Sequence, residues 1–596
     1  SIFTINNGAT FTGNTADDFG GAIYNSGSTL NLVARTNDVV FTGNKANDVS
    51  NAVHLADTAV MNLNASNSAS IIFNDRITSE GSYNIININN PGEEENKIPL
   101  DAPTTGKVVI NADMSGFDNS EGNVVNLYGG TLALGPNGVM FGSPVKFYSG
   151  STLDLINGKI DRVSFTSARI NDMNLKIDVD MSSHKADTLE SPSFSGSKNV
   201  NLNKIAVIRD GSSGTVVVNQ DNDLNISLDG NAKTAKGPVY NYNVTNNGDG
   251  TLSLSQNGVN PTVNASSVAT NSAYLALSNV NNIVFNRADN VMSALNNIRT
   301  AKKIQEKYGN KLAATEGMPI EASAEQTTLF GRLREGSVWL RPFNSIEKIE
   351  LDNLEGKVNS VSYGLLTGFD TRLWDLGANT YGMMSLFGGY SGARQKYSSV
   401  NIYQNGGLIG TSASLFKGNG YTTLAATVGG YGVVEKIAGY GNSNYGLLTT
   451  SVASNTGYNI NLPKKMVLQL NNQLAYSLVT SQDYRNAQGV DIKTDALHVI
   501  QIIPGVKLAG NFKGWQPYLS ANVIFNPLNS TTVTANEFVL PDSNIGTYVE
   551  YGAGIQSDRG DKLNGFAQVM VRNGSRTGVN FNFGLKIPVG RKVVTL

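Results

Sequence analysis

The sequence lacks cysteine altogether in its 596 residues, so it can form no disulfide, no thiolate metal site and no cysteine nucleophile. This absence also suits a chain that crosses an oxidising compartment in an unfolded state. No apolar run reaches the roughly 18 residues that a membrane-spanning helix needs. Charged residues are only 15% of the chain and the net charge is −2, so nothing indicates nucleic-acid binding.

The chain also has few residues that carry out catalysis or bind metals. It contains three histidines, His54, His184 and His498, and neither a GxSxG nor an HExxH motif. Residues 17–18 and 219–223 are rich in Asp and Asn, which could bind Ca²⁺ but more often form turns. We therefore expect no hydrolase site, no metal and no cofactor in this part of the protein.

The strongest pattern is a strict alternation of apolar and polar residues in the C-terminal half. In the last strand, every second residue from Val579 to Val589 is apolar. About twelve strands of this kind are typical of an outer-membrane β-barrel. They are expected to start near Ser337, Val358, Asn379, Val400, Gly420, Ser443, Lys465, Leu497, Trp515, Thr547, Leu563 and Val579. A large soluble β-sandwich is the alternative.

Aromatic residues near the predicted strand ends suggest an interfacial girdle: Trp339, Trp374, Tyr440, Trp515 and Tyr548. A barrel of this size is wider than the roughly eight strands whose interior side chains can fill. We therefore expect another segment to occupy the lumen.

A helix is predicted between the two halves, from about 265 to 308, with Gly309 as its end. Its apolar residues recur at helical spacing, and many asparagines lie between them, including Asn281, Asn282, Asn296 and Asn297. It is too polar to face lipid but suits a wet lumen. The alternative is a surface helix or an exposed linker.

The N-terminal half contains repeats. The motif at Phe11–Asn14 recurs thirty residues later at Phe41–Asn44, and a GxTLxL pattern occurs at 27–32, 129–134 and 150–155. Such rungs are typical of a parallel β-helix, and the alternative is a β-sandwich with accidental repeats. We expect a β-helix over 1–160, a β-structured cap or junction over 161–262, a linker with the lumen helix over 263–325 and the barrel over 326–596.

This order of domains resembles a type V, or classical, autotransporter. Residues 337–343, SVWLRPF, resemble the first barrel strand of the family, and 361–370, VSYGLLTGFD, resemble the second. The motifs at 11–14 and 20–23 are similar to the repeats of polymorphic membrane proteins, although Ser50-Asn51 replaces the Gly20-Gly21 of the first copy. Residues 185–189 and 249–252 resemble the autochaperone junction.

The resemblance implies an all-β fold: a right-handed parallel β-helix passenger, a lumen α-helix and a C-terminal 12-stranded antiparallel transmembrane barrel. It implies that outer-membrane lipid and the barrel-assembly machinery are partners. Family members usually end on an aromatic residue, whereas this apolar face ends near Val589 and a tail, 591–596, follows. Phe583 is then a candidate for recognition by that machinery.

The resemblance also raises the question of self-cleavage. Residues 294–299, ALNNIR, resemble the segment at which some autotransporters release their passengers by attack of an asparagine on its own backbone carbonyl. Asn296 and Asn297 are the candidate residues, and Glu550, which the alternation points inward, is the candidate assisting acid. We favour the alternative that the passenger stays attached.

Three functions follow from these patterns. The first is an outer-membrane anchor that displays a β-helical surface for adhesion to an unknown extracellular ligand or host surface, with no enzyme activity in this chain. The second is an autotransporter with an enzymatic domain upstream of Ser1, since we interpret the chain as the C-terminal piece of a precursor whose signal peptide is absent here. The third, a plugged porin, leaves the repeats unexplained.

Overall fold

The computed structural model describes residues 1–92, 101–118, 122–135, 140–315, 336–463, 465–510, 512, 515–557 and 563–589. Within the helix, the side chains at 293, 294 and 296–315 lie outside the described residues. The chain divides into two compact units, Ser1–Asn260 and Pro261–Leu596, which are considered separately below.

The first unit consists of short strands separated by polar turns. They are β1 Ile2–Ile5, β2 Ala9–Thr12, β3 Thr15–Ala16, β4 Ile23–Ser26, β5 Thr29–Ala34, β6 Val39–Thr42, β7 Lys45–Ala46, β8 Val49–Ser50, β9 Val53–Ala56, β10 Val60–Ala65, β11 Ser70–Phe73, β12 Ile77–Ser79, β13 Ile85–Ile88, β14 Lys107–Ile110, β15 Val124–Leu127, β16 Thr131–Leu134, β17 Met140–Phe141, β18 Val145–Phe147 and β19 Thr152–Asp154. The unit continues with β20 Arg162–Phe165, β21 Ala168–Ile170, β22 Met173–Asp180, β23 Lys185–Ala186, β24 Thr188–Glu190, β25 Phe194–Gly196, β26 Asn199–Arg209, β27 Gly214–Val217, β28 Asn225–Leu228, β29 Thr234–Lys236, β30 Tyr240–Asn246 and β31 Thr251–Val259.

These strands stack as a parallel β-solenoid. One long sheet runs β1-β5-β10-β13-β15-β18-β21-β25, and a second follows β2-β6-β11-β14-β16-β19-β22-β26. Parallel pairing continues past residue 160, where we expected the β-helix to end, because β26 still pairs in parallel with β28 as far as Leu228. Antiparallel pairs among β27, β29, β30 and β31 then end the unit.

The repeated motif builds one rung after another. Phe11 and Phe41 are register partners whose rings stack at 4.6 Å, and Phe73 stacks on Phe41 at 4.7 Å. Phe73 thus belongs to a third copy that has lost the FTGN letters. Gly20 has φ +65, and a Cβ there would lie 2.3 Å from the Ile23 carbonyl oxygen, so this turn requires glycine.

A ladder of asparagines runs through the solenoid beside its apolar core. Asn62 donates to Asn31 Oδ1 at 2.8 Å, Asn87 donates to Asn62 at 2.9 Å, and Asn126 donates to Asn87 at 2.9 Å. Each bond joins two successive rungs and contributes about 1 kcal/mol. The ladder satisfies polar groups that the stacked rungs would otherwise bury without partners.

The second unit begins with helix α1, Ala265–Thr315, and continues with antiparallel strands. Twelve of them form the wall: β32 Gly336–Ile349, β33 Val358–Asp370, β35 Thr380–Tyr397, β36 Val400–Lys417, β37 Gly420–Ile437, β38 Gly441–Leu462, β39 Met466–Ser481, β42 Leu497–Gly510, β43 Trp515–Ser530, β46 Tyr548–Ser557, β47 Asn564–Gly574 and β48 Arg576–Val589. The short strands are β34 Trp374–Gly377, β40 Tyr484–Arg485, β41 Asp491–Thr494, β44 Val533–Ala535 and β45 Phe538–Val539.

The wall closes on itself as a twelve-stranded antiparallel barrel. Neighbouring strands pair in the order β33-β32-β48-β47-β46-β43-β42-β39-β38-β37-β36-β35, and β33 also pairs with β35. The predicted starts lie within three residues of the observed ones. Outside the barrel wall, β40, β41, β44 and β45 form a small sheet.

Two sequence predictions for this unit are wrong. Helix α1 does not end at Gly309 but continues to Thr315, since one glycine inside a helix costs only about 1 kcal/mol. Trp339 and Tyr548 do not belong to an outer girdle, because both point inward and are 2% and 3% exposed. Trp374, Tyr440 and Trp515 are exposed, as the girdle requires. In the described part of the chain, no helix is long and apolar enough to cross a membrane.

Candidate functional site

The lumen of the barrel is filled by α1. Near its beginning, Val268, Ala269 and Tyr274 pack against inward side chains such as Tyr397 and Val499. Farther along, the described apolar residues continue to touch the wall through Val280, Ile283 and Phe285 beside Trp339 and Phe343, and through Val291, Met292 and Leu295 beside Leu373, Met383 and Phe416. The helix is thus packed against the wall from its first turn to Leu295.

Polar side chains on the helix are also bound to the wall. Tyr274 donates to Asn526 Oδ1 at 3.0 Å, Ser278 donates to Gln501 Oε1 at 2.9 Å, and Asn281 donates to Ser451 Oγ at 3.0 Å. Asn271 donates to the Ser543 carbonyl at 3.2 Å. These bonds explain why the helix is rich in Asn and Ser, since buried polar groups require partners.

A buried cluster of charged residues lies beside the first half of the helix. Glu347 accepts from Arg576 at 2.7 and 2.8 Å and from Arg572 at 3.3 Å. Arg572 also donates to Glu550 at 2.7 Å and to Asn279 of the helix at 3.1 Å. Two arginines, two glutamates and one helix asparagine therefore form one connected network, in which bidentate Arg–carboxylate geometry is among the strongest available.

A second group of charges lies farther along the helix. Arg287 of the helix forms an ion pair with Asp370, and its guanidinium lies 5.3 Å from the Trp339 ring centroid. Trp339 donates to the same carboxylate at 3.0 Å. Arg341 donates to the backbone carbonyl of Ile283 at 3.3 Å. The inward position of Trp339 is explained by this carboxylate, which satisfies its indole N–H.

Positive and negative charges balance in the lumen. Among the described residues of this unit, the buried cations are Arg287, Arg341, Lys507, Arg572 and Arg576, and the buried anions are Asp289, Glu347, Asp370, Glu435 and Glu550. Six of the ten form ion pairs, Arg287 with Asp370 and Arg572 and Arg576 with Glu347 and Glu550, and removing one member of a buried pair is strongly destabilising. Sequence analysis identified only Glu550, although charged residues at inward strand positions were a readable signal.

A small polar cavity of about 40 Å³ remains beside the helix. It is lined by Asn282, Asn286, Lys507, Glu550 and Arg572 together with further Asn and Gln side chains of the wall. At about 10–15 Å³ for each water, it has room for a few ordered molecules. Its polar lining agrees with the asparagine-rich sequence of the helix.

Of the predicted cleavage residues, Asn296, Asn297 and Glu550, the structure describes the side chain of Glu550 alone. Glu550 points inward, as expected, and binds Arg572, which in turn contacts Asn279. Asn296 lies 17 residues farther along the helix, which corresponds to about 25 Å. The side chains of Asn296 and Asn297 lie outside the described residues, so their contacts with the wall are not part of this structure. Asn282, by contrast, lines the same cavity as Glu550.

The three histidines have different surroundings. His54 is buried in the solenoid and its Nδ1 lies 2.8 Å from Thr78 Oγ1. His184 is in a turn, with Nε2 3.3 Å from the Ser212 carbonyl oxygen. His498 lies on the outer wall of the barrel, 2.7 Å from the Tyr476 hydroxyl. Within the described residues, no group of three or more His, Cys, Asp or Glu side chains is placed to hold a metal ion.

Comparison with protein families decides what this helix-filled barrel is. The family model described as the autotransporter beta-domain matches residues 338–569, which covers most of the barrel. The barrel is the β-domain of a type V autotransporter. It resides in the outer membrane, and the β-solenoid that precedes it is the surface-exposed passenger. No curated protein matches the chain.

Solved autotransporter structures are also similar to the barrel. The β-domain of the Bordetella autotransporter BrkA is 20% identical, with a TM-score of 0.35, over 42% of this chain and 99% of that one. The transport unit of AIDA-I from Escherichia coli is 19% identical, with a TM-score of 0.38, over 43% of this chain and 90% of that one. The translocator domain of NalP from Neisseria meningitidis is 14% identical, with a TM-score of 0.35, over 49% of this chain and 99% of that one.

The orientation of the autotransporter barrel follows from the course of its helix. The passenger precedes α1 in the chain and lies at the cell surface, so the end of the barrel near Ala265 faces outward. Ala265 packs with Ile349, Tyr397 and Ile437, which lie at one end of their strands. Leu295 packs with Phe416 and Tyr421 at the opposite, periplasmic end. These positions define the outer and inner rims of the barrel.

Proposed function

We propose that the passenger is a binding surface for adhesion to a host or to another cell, and that it stays attached to its barrel. The autotransporter β-domain anchors and exports the passenger, and the proposal concerns what the displayed solenoid does. The observation that carries it is an aromatic patch on the solenoid, defined as Phe19, Tyr24, His54 and Glu80. The similarity of the repeats to those of polymorphic membrane proteins stays a prediction.

The aromatic patch stacks two rings on a buried base. Phe19 and Tyr24, on the first rung of the sequence, stack on His54 with centroid distances of 4.4 and 5.6 Å. Aromatic side chains that stacking holds in place supply contact area at a low entropy cost, and they are over-represented among residues that dominate binding energy. The sequence did not reveal this patch, because its members come from three successive rungs.

A carboxylate gives the aromatic patch a polar partner. Glu80 accepts from the Tyr24 hydroxyl at 3.2 Å, and its carboxylate lies 3.7 Å from His54 Nε2. Burial lowers the pKa of His54, with Glu80 opposing this shift. The patch therefore offers two rings and an acid above a buried imidazole, which suits a ligand with both apolar and hydrogen-bonding faces.

Retention of the passenger is supported by the lumen contacts. The helix that connects the two units is held by packing, hydrogen bonds and ion pairs from Ala265 to Leu295. Glu550 is already bound by Arg572 at 2.7 Å, which supports a structural role for this carboxylate. We propose outer-membrane lipid, the barrel-assembly machinery and an extracellular ligand as partners. We propose no nucleic acid, metal, cofactor or catalytic activity for this chain.

The proposal is tested with whole cells that display the full chain. We expect the double variant Phe19→Ala, Tyr24→Ala to reduce cell adhesion or autoaggregation by about tenfold or more, as loss of dominant contact residues does. Phe3→Ala is the matched control, because Phe3 is an aromatic residue of the same solenoid with 59% exposure. Equal adhesion of wild type and the double variant would overturn the assignment of the patch.

Immunoblots of the same cells test retention. Wild type, Asn296→Asp and Asn282→Asp should all give one full-length surface band. A shorter wild-type band that becomes full-length in either variant would show self-cleavage at that asparagine and contradict the attached passenger. The display level seen on these blots also normalises the adhesion assay.

A further inference from the structure

The outer wall of the barrel carries a row of basic residues at its outer rim. Lys348 of β32 pairs with Asn359, which pairs with Lys396 of β35. Lys396 pairs with Asn401, and Asn401 pairs with Lys436 of β37. Direct register partners lie along one line perpendicular to the strands, so three lysines alternate with asparagines along that line; because barrel strands are tilted, the line is inclined to the membrane plane. We call Lys348, Asn359, Lys396, Asn401 and Lys436 the basic row.

The basic row faces the surroundings of the barrel and not its lumen. All three lysines are exposed, and the residues that follow them in sequence, Ile349, Tyr397 and Ile437, are buried against the lumen core beside Ala265. Strands lie about 4.8 Å apart, so successive lysines, two strands apart, are separated by about 10 Å. A phosphate between two of them is within reach of both side chains and of the intervening asparagine.

The lysines of the basic row are free to bind an anion. In the described part of the chain, no carboxylate lies within ion-pair distance of Lys348, Lys396 or Lys436, whereas nearby Lys357 is paired with Glu350 at 2.9 Å. The Lys436 ammonium lies 5.3 Å from the Tyr403 ring centroid. Arg394, one residue pair deeper on β35, adds a fourth outward cation.

The position of the basic row is a membrane boundary. One residue pair deeper on the same strands, Ile346 and Val361 are 57% and 38% exposed, which is the lipid-facing pattern. Lys348 therefore lies where hydrocarbon gives way to headgroups in the outer leaflet, and Lys396 and Lys436 continue the line that starts from it. Lys and Arg at such a level attract anionic lipid headgroups.

A depression in the wall lies farther from the outer rim on β37, two outward positions from Lys436 and beyond Val434. The outward positions Gly407, Gly430, Gly432 and Gly446 are adjacent, since Gly407 pairs with Gly430 and Gly432 pairs with Gly446. A Cβ on Gly430 would meet no described atom within 4 Å, and one on Gly432 would approach only the Asn405 carbonyl oxygen, at 4.0 Å. The wall is therefore open at Gly430 and Gly432, whereas at Gly446 the Gln482 side chain bounds the depression, 3.0 Å from where a Cβ would lie.

The wall strands of the opposite half lack this arrangement. On the described wall strands β39, β42, β43, β46, β47 and β48, the outward residues near the outer rim include His498, Ser530, Asn573 and Thr577, and none is Lys or Arg. The exposed cations Arg485 and Lys493 belong instead to the small sheet outside the wall, where Arg485 lies 3.8 Å from Asp491. Among the described wall strands, a line of outward lysines is therefore confined to β32–β37.

We propose that the basic row and the glycine depression form a binding site for an anionic lipid of the outer leaflet, of the phosphorylated glycolipid class. The lysines and Asn401 bind the phosphate of this lipid, Tyr403 packs beside its headgroup, and the depression holds one of its acyl chains. This proposal rests on the outer-membrane location of the barrel and is independent of the ligand of the passenger.

The test uses the full chain in nanodiscs of phosphatidylcholine that contain a small fraction of lipid A, with retained lipid measured by native mass spectrometry. The variant Lys396→Gln, Lys436→Gln should bind lipid A at least about tenfold more weakly, since each lysine near a headgroup contributes about 1 kcal/mol. Lys396→Arg, Lys436→Arg should retain binding. Lys417→Gln, outward at the inner rim, is the matched control.

Two further arms separate the parts of the site. Dephosphorylated lipid A should bind wild type and the Gln variant equally weakly, and Gly430→Leu, Gly432→Leu should weaken lipid A binding while the charges remain. Heat-modifiable migration on gels checks that each variant is folded. Any of three outcomes would overturn the proposal. Wild type and the Gln variant retain lipid A equally, or wild type retains dephosphorylated lipid A as well as it retains lipid A. The third is displacement of lipid A by inorganic phosphate at the concentration of the lipid.

Discussion

Leu63 and Ile88 of the passenger point into the solenoid and are fully buried, whereas Leu474 and Leu585 of the barrel point away from the interior and are each 48% exposed. Both pairs lie on strands that alternate apolar and polar residues. The difference lies in the surroundings: water covers the solenoid, so its apolar side turns inward, and lipid covers the barrel, so its apolar side turns outward.

The polar residues of the two interiors differ accordingly. The solenoid buries an apolar core with neutral asparagines, which need only neighbours on the next rung. The barrel interior holds ionised groups in a balanced set beside a polar cavity. Since charges are stable in an interior only when paired, the barrel depends on specific pairs where the solenoid depends on repetition.

The largest effect is expected from breaking the lumen cluster. Glu347→Gln removes the charge that pairs with both Arg572 and Arg576, which leaves two buried cations with one remaining carboxylate, Glu550. We expect a loss of about 3–5 kcal/mol in the stability of the folded barrel. Urea titration of heat-modifiable migration measures it.

Glu350→Gln provides the control for that measurement. Glu350 forms an ion pair with Lys357, but both side chains are more than half exposed, at 57% and 52%. An exposed pair of this kind contributes at most about 1 kcal/mol. If the two variants lose stability equally, the lumen cluster is not the structural element that the comparison requires.

The features of this chain that its sequence predicts differ between wall strands and contacts that join distant residues. The wall strands were predictable, because alternation reports each face directly, and β36 and β37 begin at Val400 and Gly420 as expected. The inward direction of the Trp339 side chain was not predictable. It depends on Asp370, 31 residues away, whose carboxylate accepts a hydrogen bond from the indole N–H. The aromatic patch depends likewise on stacking between rungs, which a single sequence does not display.

A smaller effect is expected from placing a charge on each outer surface. Leu474→Arg puts a cation on the lipid face near the middle of β39 and should cost about 2–4 kcal/mol. Val217→Arg, on an exposed apolar residue of the passenger, should change stability by less than about 0.5 kcal/mol. Refolding into lipid vesicles measures the first change, and hydrogen exchange within residues 1–260 measures the second. A barrel that tolerates Leu474→Arg would contradict the assignment of its outer face to lipid.

The last effect, which is at most about 1.4 kcal/mol for each pH unit, concerns an acidic cluster that departs from the asparagine ladder of the passenger. Asp187 accepts from the backbone N–H groups of Asp161 and Asp178, each at 2.7 Å, and it is fully buried. Burial raises the pKa of Asp187 to about 8, and the charges of Asp178 and Asp161 add to the shift against the opposing backbone hydrogen bonds. The pKa of Asp178 is also raised, chiefly by burial.

The sign of the resulting pH dependence is fixed by these shifts. Because an unfolded aspartate has a pKa of about 3.9, the folded passenger holds a proton that the unfolded chain has released between about pH 4 and pH 8. Its stability should therefore rise as the pH falls from about 8 to about 4, by at most about 1.4 kcal/mol per pH unit for one proton. His54 opposes this trend below its ordinary pKa, because burial favours its neutral form.

Hydrogen exchange within residues 1–260 should show the rise in wild type and a flatter profile in Asp187→Asn, whereas Asp221→Asn, at an exposed turn, should follow wild type. If the stability of Asp187→Asn keeps the full slope against pH, another group binds the proton. The interior around Asp187 is then as neutral as the asparagine ladder indicates.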